Sequence, residues 1–216
     1  MKRDLNRFKQ NRSLMIRSID KTRRLYRQYD PGWYLYRRVT SHGTIADRFS
    51  DDFIELVYVT LISWNMNSRG AKLADWDTFK ESIRHHRRPF VRLAKYKLER
   101  LSRPRLEEIV EGDLRTLFDG LRLVADSKPR LVTYSKALHF FLPRLIVPID
   151  RKYTLQYFYR RNSVPESIDD QFTQLSEILE ECRSFAASVH LEGFQDRRWN
   201  ANIPKTIDNM IIGYQI

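Results

Sequence analysis

The chain has 216 residues, 42% hydrophobic and 12% aromatic, which is enough to bury a core and argues against wholesale disorder despite 31% charged residues. Its net charge of +12 is uneven: residues 1–50 hold 13 Lys/Arg against 4 Asp/Glu, residues 84–105 hold 9 against 1, and the remainder is mildly acidic. No apolar run reaches the roughly 20 residues of a membrane span, the basic N-terminal stretch has no apolar secretory segment, and the lone Cys182 excludes an internal disulfide, so a cytoplasmic protein is expected.

Residues 2–28 predict a basic helix with Leu5, Phe8, Met15, Ile19 and Tyr26 on its apolar side, ended by Asp30-Pro31-Gly32. Residues 33–39, WYLYRRV, suit either a short strand or a helical turn. After Asp51 as a candidate cap, Phe53, Leu56, Val57, Thr60, Leu61 and Trp64 recur at helical spacing and mark a buried helix, which runs into the polar turn Asn65–Gly70. Asp75 or Asp77 opens another helix through Ile83. The basic stretch 84–105 reads as helical after Pro89, with Phe90, Leu93, Tyr96 or Lys97, and Leu101 as its stripe.

Further helices are expected over 113–124 and 135–142, with a connection at 125–134 and a stop at Pro143. Pro148-Ile149-Asp150 should be extended, because proline fixes its own φ and keeps its predecessor out of the helical region. Asp150 then caps a helix through Tyr159. Pro165 opens a longer one with Ile168, Phe172, Leu175, Leu179, Cys182 and Ala186 on one face, and Pro204 opens the last, ending near Gly213. The expectation is an all-α fold of about eight or nine helices: a single helical domain over 1–216, or two small lobes around a cleft. The basic segment 1–50 would pack on it or extend from it.

Two arginine-rich segments on an otherwise acidic body suggest a localised phosphate-binding footprint, since the guanidinium fork suits phosphate. Nucleic acid, and DNA before RNA, is the expected partner. Lipid is disfavoured, because no amphipathic helix with a clean apolar face accompanies the charge. Candidate contacts are Arg69, Arg84, Arg87, Arg88, Arg92 and Lys95, with Ser135, Arg151 and Lys152.

Thr133-Tyr134-Ser135-Lys136-Ala137-Leu138-His139, followed by Val147-Pro148-Ile149-Asp150-Arg151, resembles the active-site stretch of the helix-hairpin-helix DNA glycosylases over roughly residues 50–160. In that superfamily a lysine lies near the start of a helix, and an extended tripeptide delivers an aspartate to the start of the next. The resemblance implies a base-excision glycosylase or lyase with Lys136 and Asp150 as catalytic residues. No hairpin glycine occurs in Leu131–Ser135, so a hairpin contact with DNA is not expected. Breaking an N-glycosidic bond builds positive charge on the sugar, which a carboxylate stabilises and an amine can trap as a Schiff base. A flipped base needs an aromatic pocket, for which Trp64, Trp76, Tyr134, His139, Phe140 and Tyr153 are candidates.

Each residue also has a plainer role: Asp150 as a helix cap, Lys136 as a phosphate contact, His139 as packing, Cys182 as core. A non-catalytic nucleic-acid-binding or protein-interaction module is therefore the alternative function. Arg197-Arg198-Trp199-Asn200 and Lys205-Thr206-Ile207-Asp208-Asn209 read as a polar lock on the C-terminus, with Lys205 or a central arginine pairing the buried polar groups. No Gly-rich phosphate loop, zinc-spaced Cys/His cluster or Gly-x-Ser-x-Gly elbow is present, so neither cofactor nor metal is expected.

Overall fold

Helix termini, more than helix faces, decide how this chain is divided. The computed structural model describes residues 4–25, 30–67, 72–125, 129–196 and 198–216. The fold is all-α, and among the described residues the only extended pairing is one antiparallel bridge, Leu73 with Val124. No described helix is long and apolar enough to cross a membrane.

The predicted helix over 2–28 is two: α1 (Asn6–Gln10) and α2 (Arg12–Leu25). Asn11 divides them, its side-chain oxygen accepting from the Leu14 N–H at 2.8 Å, as an N-cap does. Tyr26 lies outside the described residues. Asp30-Pro31-Gly32 opens the next helix rather than closing this one. Asp30 accepts from the Trp33 N–H at 3.0 Å and Pro31 occupies the first position of α3 (Pro31–Thr40), where no N–H donor is required. WYLYRRV is thus helical. Ser50, not Asp51, caps α4 (Asp51–Ser63), leaving Asp51 and Asp52 to meet the positive end of the helix dipole. Asp75 caps α5 (Trp76–His85).

The basic stretch 84–105 is not one helix. It is α6 (Arg87–Leu93), a 3₁₀ turn (Leu98–Arg100) and the start of α7 (Arg103–Ile109). Pro89 sits inside the first turn of α6, while Ser102 and Pro104 restart the chain as cap and early helical proline. A π-helical turn (Val110–Leu114) joins α7 to α8 (Arg115–Gly120). The expected helix to Val124 ends at Gly120, beyond which Leu121, Leu123 and Val124 run extended into the core.

Two helices form the interior. In α9 (Leu131–Phe141) all eleven residues are buried, and in α12 (Ile203–Gln215) Ile203 to Gly213 are. α9 starts four residues ahead of the expected Ser135 because its cap comes from afar. Gln171, on α11 (Ile168–Ser188), accepts from the Arg130 and Leu131 N–H groups at 2.8 and 3.0 Å. α11 buries the expected stripe, including Cys182. The short α10 (Gln156–Tyr159) comes after Asp150 and a π-helical turn.

The N-terminal segment packs on the body: Leu5, Phe8, Met15 and Ile19 belong to the contiguous core. α2 meets α12 at Gly213, where a Cβ would lie 1.7 Å from the Ser18 carbonyl oxygen and 2.5 Å from Thr22 Oγ1. Thr22 Oγ1 in turn donates to the Asn209 carbonyl at 2.5 Å. Gly213→Ala must push the helices apart and should lower unfolding free energy by about 3 kcal/mol in urea titration. Gly112→Ala, where a Cβ meets nothing within 4 Å, should raise it by about 0.5–1 kcal/mol.

Candidate active site

Lys136 lies in the middle of α9, and Asp150 ends the extended segment beside it. The Ser135 hydroxyl fixes that juxtaposition by accepting from the Ile149 N–H at 3.0 Å. Asp150 then caps the next turn, accepting from the Lys152 N–H at 2.8 Å, while the Leu155 N–H reaches back to the Asp150 carbonyl at 2.9 Å. These contacts bring Lys136 Nζ to 3.2 Å from Asp150 Oδ2. The lysine side chain is 8% exposed and the aspartate 33%, so solvent reaches the pair through the carboxylate. Burial pushes the Asp150 carboxyl up. The Lys136 ammonium and the N–H groups of Lys152 and Tyr153 outweigh that and hold it below the usual carboxylate range.

A second pair of the same kind stands on α12. Lys205 Nζ lies 2.6 Å from Asp208 Oδ2, and both side chains are 5% exposed. Trp64, at the end of α4, joins the two: its ring is 5.4 Å from Lys136 Nζ and 5.7 Å from Lys205 Nζ. Tyr36 on α3 stacks on Trp64 at 5.6 Å and lies 5.4 Å from Lys205 Nζ. Burial raises the Asp208 carboxyl, opposed by Lys205 and reinforced by the nearby Asp150 charge. Asn209 donates to the Trp199 carbonyl at 2.7 Å and to Asn200 Oδ1 at 2.9 Å. The polar lock therefore exists, with Lys205 as the partner of Asp208, and it abuts Lys136. Its link to Asp150 is hidden in the sequence because the two segments are distant along the chain.

His139 is fully buried and packs rather than tuning Lys136. Its Nδ1 meets the Ile146 carbonyl at 2.6 Å, and its Nε2 lies 2.9 Å from the Tyr36 hydroxyl. A carbonyl can only accept, so Nδ1 carries the proton and Nε2 accepts from tyrosine. Burial lowers the His139 pKa to about 3, with the Lys205 and Arg48 charges pushing the same way against the Ile146 carbonyl.

Tyr134 is also core, its hydroxyl donating to the Leu121 carbonyl at 2.5 Å, and Phe140 has no exposed surface. These burials remove Tyr134, His139 and Phe140 from a base pocket. Trp76 packs edge-on against Tyr58 at 5.6 Å. Trp64 and Tyr153 are half-buried and remain candidates.

The predicted phosphate contacts divide by partner. Arg84 is paired with Asp51 and Glu81, and Arg92 forks onto Asp113 with Nε at 2.9 Å and Nη2 at 2.5 Å. Ser135 is fully buried and held by Ile149, so it contacts no phosphate in this conformation. Arg87 lies over the Phe49 ring, while Arg88, Lys95, Arg151 and Lys152 are exposed. Arg69 and Arg197 lie outside the described residues.

Between pH 6.5 and about 3 the unfolded chain protonates His139 and the folded chain does not. Stability should therefore fall as pH is lowered through this window, by about 1.4 kcal/mol per pH unit from this group, and His139→Gln should flatten the pH profile of the melting temperature there. Lys205→Met strands Asp208 inside the protein and should cost about 3–5 kcal/mol in chemical unfolding, most of which the double substitution Lys205→Met/Asp208→Leu recovers.

Comparison with protein-family models, curated proteins and solved structures finds no match to this chain.

Proposed function

We propose that the chain acts on nucleic acid in the manner of the helix-hairpin-helix DNA glycosylases it resembles, releasing a damaged or modified base at Asp150 and Lys136. The observation that carries this reading is the 3.2 Å Lys136–Asp150 pair, with its carboxylate one-third exposed and its ammonium set beside Trp64. Asp150, held below the usual carboxylate range, stands ionised at neutral pH. It is suited to stabilise positive charge growing on a sugar as the glycosidic bond breaks. Lys136, its neighbour, is the amine that would bond to C1′ as the base departs with the glycosidic electron pair, once its proton has passed to water. Arg151 and Lys152 flank the aspartate as exposed cations and would hold the adjacent phosphates.

The rival reading, a non-catalytic nucleic-acid-binding or protein-interaction module, draws support from Lys205–Asp208. That pair has the same composition and is wholly enclosed, which is how an ion pair serving only the fold is placed.

Base release from DNA carrying damaged or deaminated bases separates the two readings. Activity should appear with the full chain and fall at least 100-fold in Asp150→Asn, with the melting profile showing a folded variant. Borohydride should trap a covalent adduct with abasic-site DNA that disappears in Lys136→Gln. Absence of base release and of trapping on every lesion tested, with the chain folded, rejects excision and leaves the binding module.

A further inference from the structure

Arginine and lysine side chains that lack a carboxylate partner gather in one region, drawn from the basic segments 1–50 and 84–105 and from Arg144 and Arg198 beyond them. Two adjoining hollows hold it. One is an open cleft of about 1110 Å³ between α3 and the 195–201 loop, lined by Arg37, Arg38 and Arg198. The other, of about 560 Å³, is lined by Arg48, Lys95 and Arg144, and Thr40 and Ala201 line both. None of these six cations forms a salt bridge among the described residues. By contrast Arg84, Arg92, Arg103, Arg105 and Arg115 are all neutralised by Asp or Glu.

The smaller hollow has no acidic residue in its lining. Arg48 spends one nitrogen on the Phe140 and Phe141 carbonyls at 3.2 and 2.7 Å, capping α9, and its buried Nε has no partner. Arg144 is near enough to destabilise the Arg48 charge, and Arg144 itself donates to the Ala94 carbonyl at 3.2 Å. Like charges gathered without a counter-charge are costly unless an anion joins them.

The single carboxylate of the larger cleft is already committed. Asp196 pairs with Arg23 at 2.8 Å and accepts from the N–H groups of Arg198, Trp199 and Asn200. It thereby folds the loop that carries Arg198 and leaves the cleft's cations uncompensated.

Aromatic faces accompany the charge. Tyr34 on the cleft wall is 60% exposed, a large ring in water. Tyr96 lines the other hollow with the Lys95 ammonium 5.0 Å from its centroid. Cations and rings together in concave hollows match a single nucleic-acid strand, whose phosphates repeat and whose bases offer a π-face whatever their identity. From the cleft, Trp33 meets Tyr36 at 5.4 Å with their rings tilted and Tyr36 stacks on Trp64 at 5.6 Å, so an aromatic run connects the cleft to the Lys136–Asp150 pair.

We infer that the two hollows form one continuous binding track for single-stranded nucleic acid, with Arg37, Arg38, Arg198, Lys95 and Arg144 on the phosphates and Tyr34 stacking a base. This deepens the proposed function by naming the form of the substrate, and it rests on that reading only for nucleic acid being the partner.

Anisotropy titrations of the full chain with a labelled oligothymidylate, over a series of salt concentrations, test it. Arg37→Ala/Arg38→Ala and Arg144→Ala should each weaken binding about tenfold or more, and reduce the salt slope by about 0.7 for each phosphate no longer neutralised. Tyr34→Ala should weaken binding about tenfold with the salt slope unchanged. Arg103→Ala, removing an exposed arginine already paired with Glu107, should do neither. All these side chains are exposed, so the variants should keep the parent's melting profile. Undiminished affinity in the track variants overturns the inference, as does tighter binding of a duplex of equal length or no binding by the parent chain. Track-dependent binding without any base release upholds the inference and rejects excision alone.

Discussion

Moving an ammonium or a carboxylate out of water costs several kcal/mol unless an opposite charge and further hydrogen bonds meet it. The two helices that this fold buries most completely, α9 and α12, each carry such a charge inward: Lys136 on one, Lys205 and Asp208 on the other. That requirement fixes much else. Asp208 answers Lys205 within its own helix, so α12 can be packed on all sides. Lys136 has no acidic neighbour on α9 and must take one from outside. The chain therefore has to run extended past α9 and end at Asp150, with Ser135 holding Ile149 so that the carboxylate arrives in register. Trp64 then lies over both ammonium groups and Tyr36 over that of Lys205, which ties α3 and α4 to the same centre.

Much of this is legible from side-chain period and proline. The extended Pro148–Asp150, the Asp150 cap and the buried face of α11 are readable, because each depends on residues close in sequence, whereas the meeting of Lys136 with Asp150 is implied only by the family resemblance. Local chemistry also misleads. Asp30-Pro31 is both a turn signal and the start signal of a helix, and only the residues beyond Gly32 choose between them. Pro89 is tolerated within a first helical turn, so it does not open a long helix. Other features cannot be read at all. The cap of α9 comes from Gln171, about forty positions away. Ser135 suggests a phosphate contact in the sequence because its partner, Ile149, is brought to it only by folding.

Charge shows the same division. Counting arginines places the footprint at residues 1–50 and 84–105, yet in the second segment helical spacing and folding bring Glu81, Asp51 and Asp113 to Arg84 and Arg92. An exposed guanidinium already forked onto a carboxylate must give up that partner before it meets a phosphate, so its contribution to affinity is a difference and not a sum. Arg37 and Arg38 belong to the basic segment 1–50, whereas Arg144 stands outside both segments. Among the described residues Arg37 and Arg38 have no carboxylate partner because the one that lines their cleft, Asp196, is turned inward to fold its own loop, and the hollow that holds Arg144 has no acidic lining. Net charge measures attraction for a polyanion, whereas the map of unpaired charge measures where it is felt.

The two lysine–aspartate pairs are alike in composition and opposite in what their surroundings do. At Asp150 burial is outweighed by the Lys136 ammonium and the N–H groups of Lys152 and Tyr153, which lower the carboxyl pKa; at Asp208 burial outweighs Lys205 and raises it. Removing Asp150's charge would also relieve Asp208, since each raises the energy of the other's ionised form. A substitution at Asp150 therefore changes two carboxylates, not one, and its effect on any chemistry here has to be read beside its effect on the enclosed pair. The same coupling explains why the polar lock on the C-terminus and the candidate catalytic pair cannot be assigned to separate parts of the molecule.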